Sequence, residues 1–343
     1  MKSYNDFALV AGLVVVGLFA GFFGRLAEKA GTLAFSPAAQ LNSAAAILAT
    51  EQNIVQSVPP EITLGFVGDI MLDRGVKKKV STVFGGDYAK LFTGAEFLTE
   101  PDIMFANLEG PVSDTGTDRH NLYSFRMDPK VLPALKDAGI DVVSFANNHI
   151  GDWGRPAFED SLSRIRASGI LPCGAGMNKA EASAPTILSE NGYTVGFLCF
   201  SDVGPNDMAA TADRSGILLA SDPEFDAVIH SASQKVNALI VSFHWGEEYE
   251  TAHNARQEEL AKRAIDAGAV MVAGHHPHVA QDIGEHSGAP IIYSLGNFIF
   301  DQYFSAETMR GLYVTATLSG KTISNLSPHI VRINKNSAPT LEK

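Results

Sequence analysis

Five short apolar runs in this chain each stop at a residue type that binds metals. Residues 62–67 run into Gly68-Asp69, 102–106 into Asn107-Leu108-Glu109-Gly110, and 141–146 into Asn147-Asn148-His149. Residues 238–243 run into His244, and 269–273 into Gly274-His275-His276-Pro277-His278. Apolar, β-branched runs of this length, bounded by Gly or polar residues, read as buried strands. Strands of one sheet deliver their carboxyl ends to one rim, where open α/β sheets place their sites. The pattern therefore gathers Asp69, Glu109, Asn148, His149, His244, His276 and His278 on one side of the fold.

Helical patterns lie between the runs. Val131, Leu132, Leu135 and Ala138 share a side after Asp128-Pro129, which suits a helix start, and Gly139 suits its stop. Phe158, Leu162 and Ile165 recur at helical spacing before Gly169. Residues 222–235 and 253–267 read as two more helices, the second carrying the i,i+4 pairs Glu258–Lys262 and Glu259–Arg263. Asn191-Gly192 marks a hairpin between 187–188 and 193–200. Residues 290–294, 311–318 and 323–333 read as closing strands, and 334–343 as a frayed tail. Strand–helix alternation early and hairpin pairs late predict an α/β fold, with a mixed sheet or two stacked sheets under outer helices.

The folded domain is expected over 61–333. Ahead of it, residues 7–23 are unbroken apolar sequence, long enough as a helix to span most of a bilayer core of roughly 30 Å. The reading preferred is an uncleaved transmembrane anchor within 1–29, with a secretory signal as the alternative. Residues 30–60, rich in Ala, Ser and Gln and ending in Pro59-Pro60, read as a linker.

The ligand set mixes carboxylate and amide oxygen with imidazole nitrogen. Such sites suit Zn²⁺, Mn²⁺ or Fe²⁺ better than Ca²⁺, which prefers oxygen alone. One or two ions there would polarise a substrate oxygen and activate water, with Glu109 able to bridge. His149 is placed to donate a proton, with Asp152 orienting its ring. Arg74, Asn107 and Asn297 are candidates for substrate contact; for Arg74 an outward salt bridge is the rival reading. Taken singly, Gly68-Asp69 reads as a turn, Asn107 and Asn148 as backbone caps, and His244 as a core histidine. Only their recurrence at strand ends favours a site.

A net charge of −12 argues against a nucleic-acid surface. Neither a Gly-x-Ser-x-Gly elbow nor a phosphate or dinucleotide loop is present. Cys173 and Cys199 lack metal-ligand spacing; Cys199 reads as a small buried hydrophobe, and spacing leaves their pairing open.

Gly68-Asp69-Ile70-Met71, Asn107-Leu108-Glu109-Gly110, Ala146-Asn147-Asn148-His149, Asp152, His244-Trp245-Gly246, Gly274-His275-His276-Pro277-His278 and Ser294-Leu295-Gly296-Asn297 resemble the bacterial poly-γ-glutamate capsule-synthesis family, CapA-like. The resemblance runs from about residue 62 to 299. That family is similar to the calcineurin-like metallophosphoesterases, which implies a four-layer α/β/β/α sandwich. It implies that Asp69, Glu109, Asn148, His244, His276 and His278 are metal ligands and His149 the acid. Met71 departs from the superfamily, which has a histidine there; a thioether is a poor ligand for such ions, so one metal site loses a ligand.

The expected function is a membrane-tethered, metal-dependent hydrolase of capsule or exopolymer biosynthesis. Its domain would lie outside the bacterial cytoplasmic membrane, acting on an anionic polymer or a phosphoester alongside other capsule-synthesis membrane proteins. The alternative is a non-catalytic, metal-holding subunit of a polymer export complex.

Overall fold

The strand Ala238–His244 is buried along its whole length, and its two faces enter different cores. Ala238 and Ile240 join a large core with Phe66 and Phe105. Leu239, Val241 and Phe243 join a second with Phe225 and Leu260. Side chains alternate across a strand, so this one separates a sheet–sheet interface from a helix layer.

The computed structural model describes residues 61–342 except Asn191. The expected anchor and linker lie outside the described residues. In chain order the strands are β1 (Ile62–Ile70), β2 (Ile103–Leu108), β3 (Val142–Ser144), β4 (Leu171–Cys173), β5 (Ala175–Gly176), β6 (Thr186–Glu190), β7 (Tyr193–Ser201), β8 (Gly216–Ile217), β9 (Ala238–His244), β10 (Met271–His275), β11 (Ile283–His286), β12 (Ala289–Ile292), β13 (Asn297–Ile299), β14 (Arg310–Ser319), β15 (Thr322–Ile333) and β16 (Pro339–Leu341). The first sheet runs β16-β15-β14-β1-β2-β3-β4, with β13 pairing the end of β1. The second runs β11-β12-β10-β9-β7-β6. In the first, β1 to β4 are parallel; in the second, β7, β9, β10 and β12 are.

Helices α1 (Arg74–Val83), α2 (Val131–Asp137) and α3 (Gly154–Ala167) connect β1 through β4. Successive parallel neighbours joined by right-handed crossovers put all their helices on one face. After the short α4 (Lys179–Ala182), α5 (Phe225–Ser233) and α6 (Ala255–Asp266) do the same between β7, β9 and β10. The remaining faces meet each other, β1 against β10 and β4 against β7. The layers are thus helix, sheet, sheet, helix.

Two expectations need correction. The tail is not frayed: Pro339–Leu341 pairs with β15, Val331 opposite Leu341, and Glu342 draws in Arg332 at 2.6 Å. Pro339 opens this edge strand, where a missing N–H is tolerated. Cys199 is not a lone hydrophobe: it forms a buried disulfide with Cys173, Cα to Cα 5.5 Å, which fastens β4 in one sheet to β7 in the other. Among the described residues no helix is long and apolar enough to cross a membrane.

Candidate metal centre

Register brings the polar strand ends together. Asp69 lies opposite Asn107 on one side and Asn297 on the other. In the facing sheet His244 lies opposite His275. Along β10, Met271 and Ala273 enter the inter-sheet core, so His275, on the same parity, points there too. Gly68 sits inside β1 rather than in a turn, and a Cβ on it would strike the Gly296 carbonyl. Gly274 is pressed in the same way by the Tyr293 carbonyl. The backbone of 293–297 crosses both strands here, which only glycine permits.

Hydrogen bonds then fix the carboxylates. Asn107 Nδ2 donates to Asp69 Oδ1 at 2.8 Å and to Glu109 Oε2 at 3.2 Å. Asn147 Nδ2 donates to Leu108 O at 2.9 Å, tying β3's end to β2's. His278 Nδ1 lies 3.3 Å from Asp69 Oδ2, and its Nε2 lies 3.6 Å from Glu109 Oε1. Asn148 Oδ1 accepts from His244 Nε2 at 2.8 Å. His276 and His278, flanking Pro277, have φ of 99° and 61°. Positive φ at non-glycine residues is strained backbone of the kind that clusters at functional sites.

Two groups of ligand-type atoms result. Asp69, Glu109 and His244 each offer one within 4.8 Å of the others, and so do Glu248, His276 and His278. The first group is wholly buried. Glu109 Oε1, His244 Nδ1, His276 Nδ1 and both ring nitrogens of His275 are buried without a hydrogen-bond partner among the described residues. Unpaired polar atoms in a low-dielectric interior are costly, and a cation satisfies several at once. The donor set of carboxylate oxygen and imidazole nitrogen fits a divalent transition metal.

The electrostatics agree. Burial, reinforced by the charges of Asp69, Glu248 and Asp152, pushes the Glu109 carboxyl well above the usual range despite His278. Burial pulls His276 down to about 3 and His244 well below its ordinary value. For His278 burial acts downward, but Glu109 and Asp69 outweigh it and raise the ring to about 9. For Asp69 burial acts upward, yet the His275 and His278 rings, each with Nδ1 3.3 Å from one of its carboxylate oxygens, hold it well below the usual range. Metal binding at such a set is also proton release, because imidazole ligates only when neutral.

His149 lies beside this cluster, 7% exposed, its Nε2 3.8 Å from Glu109 Oε1. Its Nδ1 faces Asp152 Oδ2 at 2.8 Å. Asp152 is itself held by Phe125 N at 2.8 Å and Asn121 Nδ2 at 2.8 Å. The Phe125 ring covers His149, centroids 3.9 Å apart, and the Arg74 guanidinium lies over Phe125 at 4.7 Å.

The three residues expected to touch substrate are placed differently. Arg74 is paired with Asp301. Asn107 is fully buried, with its amide given to Asp69 and Glu109. Asn297 Nδ2 donates to Gln302 Oε1 and Thr308 O, while its Oδ1 lies 3.1 Å from His278 Nδ1. Both asparagines position ligand-type side chains instead of presenting free groups. Sequence reasoning missed Glu248 and His275. The acidic pair Glu247-Glu248 just past His244 was the available signal for the first. For the second it was the β10 parity, legible once the strand is extended to His275.

The fold is an α/β protein of two stacked mixed sheets whose strand ends gather a donor set suited to a divalent metal. The solved structures similar to it include a calcineurin-like phosphoesterase, YfkN, from Bacillus subtilis, 12% identical, TM-score 0.47, covering 81% of this chain and 93% of that one. Residues 63–302 match the family described as bacterial capsule synthesis protein PGA_cap, and the chain belongs to that family. The PGA biosynthesis protein CapA of Bacillus subtilis is 34% identical over 244 residues, 70% of this chain and 64% of that protein. The capsule biosynthesis protein CapA of Bacillus anthracis is 34% identical over 250 residues, 71% and 60%. The chain thus spans under two thirds of the length of these relatives.

Proposed function

We propose that this chain is a metal-dependent hydrolase of capsule or exopolymer biosynthesis, tethered to the bacterial cytoplasmic membrane with its folded domain outside. The observation that carries this reading is the convergence of Asp69, Glu109 and His244 with Glu248, His276 and His278 around unpartnered buried donor atoms. These six residues, with Asn148, would hold one or two divalent ions, Mn²⁺, Zn²⁺ or Fe²⁺. A divalent ion supplies Lewis acidity toward a substrate oxygen and lowers the pKa of water. His149 delivers a proton from Nε2 to the leaving group, because Nδ1–H is held by Asp152. Asn107 and Asn297 keep the carboxylates and His278 in register.

The relatives named for PGA and capsule biosynthesis support an anionic polymer, or a phosphoester-linked precursor of one, as substrate. They equally support other capsule-synthesis membrane proteins as partners. The Cys173–Cys199 disulfide supports a domain outside the cytoplasm, where disulfides persist. The apolar run 7–23 supports the tether. The deciding experiment is metal stoichiometry on the full-length chain, followed by a panel of phosphoester and γ-glutamyl substrates. Bound metal with turnover of one class sustains the reading; absence of metal ends it.

One observation favours the second reading, a metal-holding subunit without catalysis. The Met71 sulfur accepts Asp73 N–H at 3.2 Å, at the position where the wider superfamily has a histidine. Metal bound stoichiometrically, with no turnover of either substrate class, selects this reading.

A further inference from the structure

A cavity of about 500 Å³ opens beside the turn that follows Asp152, lined by Arg119, Trp153, Arg155, Asp207, Met208 and Arg214 among others. It begins one residue past Asp152 in the chain. The loop forming one wall is fastened to that aspartate: Arg119 N donates to Asp152 O at 2.9 Å. Asn121, two residues on, donates its amide to the Asp152 carboxylate. The cavity and His149 are therefore joined by one short hydrogen-bonded segment.

Three arginines reach the cavity from three segments of chain. Arg119 is paired with Asp207. Arg155 donates to Asp207 O at 2.7 Å and to Ser215 Oγ at 3.4 Å, neither of them a carboxylate. Arg214 has no ion-pair partner among the described residues. Asp118, also in the wall, uses its carboxylate on His120 N and Ser124 Oγ. Burial, then the adjacent Arg214 charge, pulls the Arg155 pKa below its ordinary value against the opposing charges of Glu159 and Asp207. Guanidinium groups this close repel, and a bridging anion relieves the repulsion. Their planar forks match carboxylates in particular.

We infer that this cavity is a second substrate subsite, holding a carboxylate-bearing polymer strand whose reacting bond lies at the metal centre. The inference rests on the polymer reading given under Proposed function. A surface with net charge −12 repels a polyanion at large, so the arginine wall supplies the local attraction such a strand needs. The Arg126 guanidinium covers the Trp153 ring at 3.5 Å, and the rest of that ring, in the cavity wall, offers apolar surface to the methylene groups between carboxylates.

The molecule carries its own reporter. It has two tryptophans, and Trp245 is fully buried in the second core, which leaves Trp153 to respond to the cavity. The full-length chain is titrated with a short γ-linked glutamate oligomer, with free glutamate and with inorganic phosphate, following tryptophan emission. The oligomer is expected to give a saturable, salt-weakened signal. Arg155→Ala with Arg214→Ala weakens its binding about tenfold or more. Arg214→Glu, a change at an exposed position, does the same and guards against misfolding of the double variant; circular dichroism checks both. Unchanged binding in these variants, or phosphate binding as tightly as the oligomer, overturns the subsite. The titration reads binding alone. A chain that binds the oligomer through these arginines and turns nothing over keeps the subsite and removes the hydrolase. A chain that hydrolyses with arginine-independent binding does the reverse.

Discussion

His149 Nδ1 lies 2.8 Å from Asp152 Oδ2, three residues further along the same turn. The contact sets the tautomer, because an acceptor at Nδ1 places the mobile proton chemistry at Nε2. His149→Ala is expected to lower turnover of the identified substrate by about 10²–10⁴-fold while metal content stays at the wild-type level. Asp152→Asn keeps the shape but offers the wrong partner, and is expected to cost about 10- to 100-fold. Metal analysis beside steady-state kinetics checks both. Loss of metal from His149→Ala would make that residue a ligand instead.

Glu109 carries the clearest cost of assembling the site. Burial, with three neighbouring carboxylates, lifts its pKa well above the ordinary value. A raised folded pKa means the stabilising contribution is present below the unfolded pKa and lost as pH rises through the folded one. At neutral pH the chelator-treated protein is therefore destabilised by this side chain. Glu109→Gln is expected to melt higher than wild type after chelation and to bind metal more weakly. Paired thermal melts with and without chelator test this; a lower melting point for the chelated variant would refute it.

The Cys173–Cys199 bond closes a loop of sequence separation 26 across the two sheets. Cross-linking a loop of that length restrains the unfolded chain by about 3–4 kcal/mol in the chain-entropy account. Replacing both cysteines with alanine is expected to lower the urea midpoint accordingly without changing metal content. Reductant should have the same effect on wild type and none on the variant.

Much of this site is legible in the sequence alone. Asp69, Glu109, Asn148, His149, His244, His276 and His278 stand at the ends of apolar runs, and parallel neighbours must finish at one rim. What the runs could not supply was register across neighbours and the path of the loops. Asn297 meets His278 because β13 pairs with the last residues of β1, a pairing no local periodicity encodes. Arg74 turns to Asp301 through a contact spanning most of the domain. Glu248 reaches the histidines because Tyr249 N donates to Pro277 O at 2.8 Å, which folds its loop against the cluster. The cysteines pair between sheets, where spacing along the chain carries no signal.

Alkaline stability tests the packing away from the site. Tyr88 and Tyr313 are both buried. Burial first, then nearby carboxylates, pushes each hydroxyl from 10.0 up to about 12. The sign follows from the raised folded pKa: their contribution is complete below pH 10 and is lost as pH rises toward about 12. Thermal melts across that range are expected to show a steep decline, accompanied by late-titrating tyrosinate absorbance. Tyr313→Phe removes one of the two groups and the hydrogen bond from its hydroxyl to Phe97 O. At neutral pH it should cost about 1 kcal/mol, yet its alkaline decline should be shallower than that of wild type. An unchanged alkaline slope in both Tyr88→Phe and Tyr313→Phe would show that other groups govern the limb.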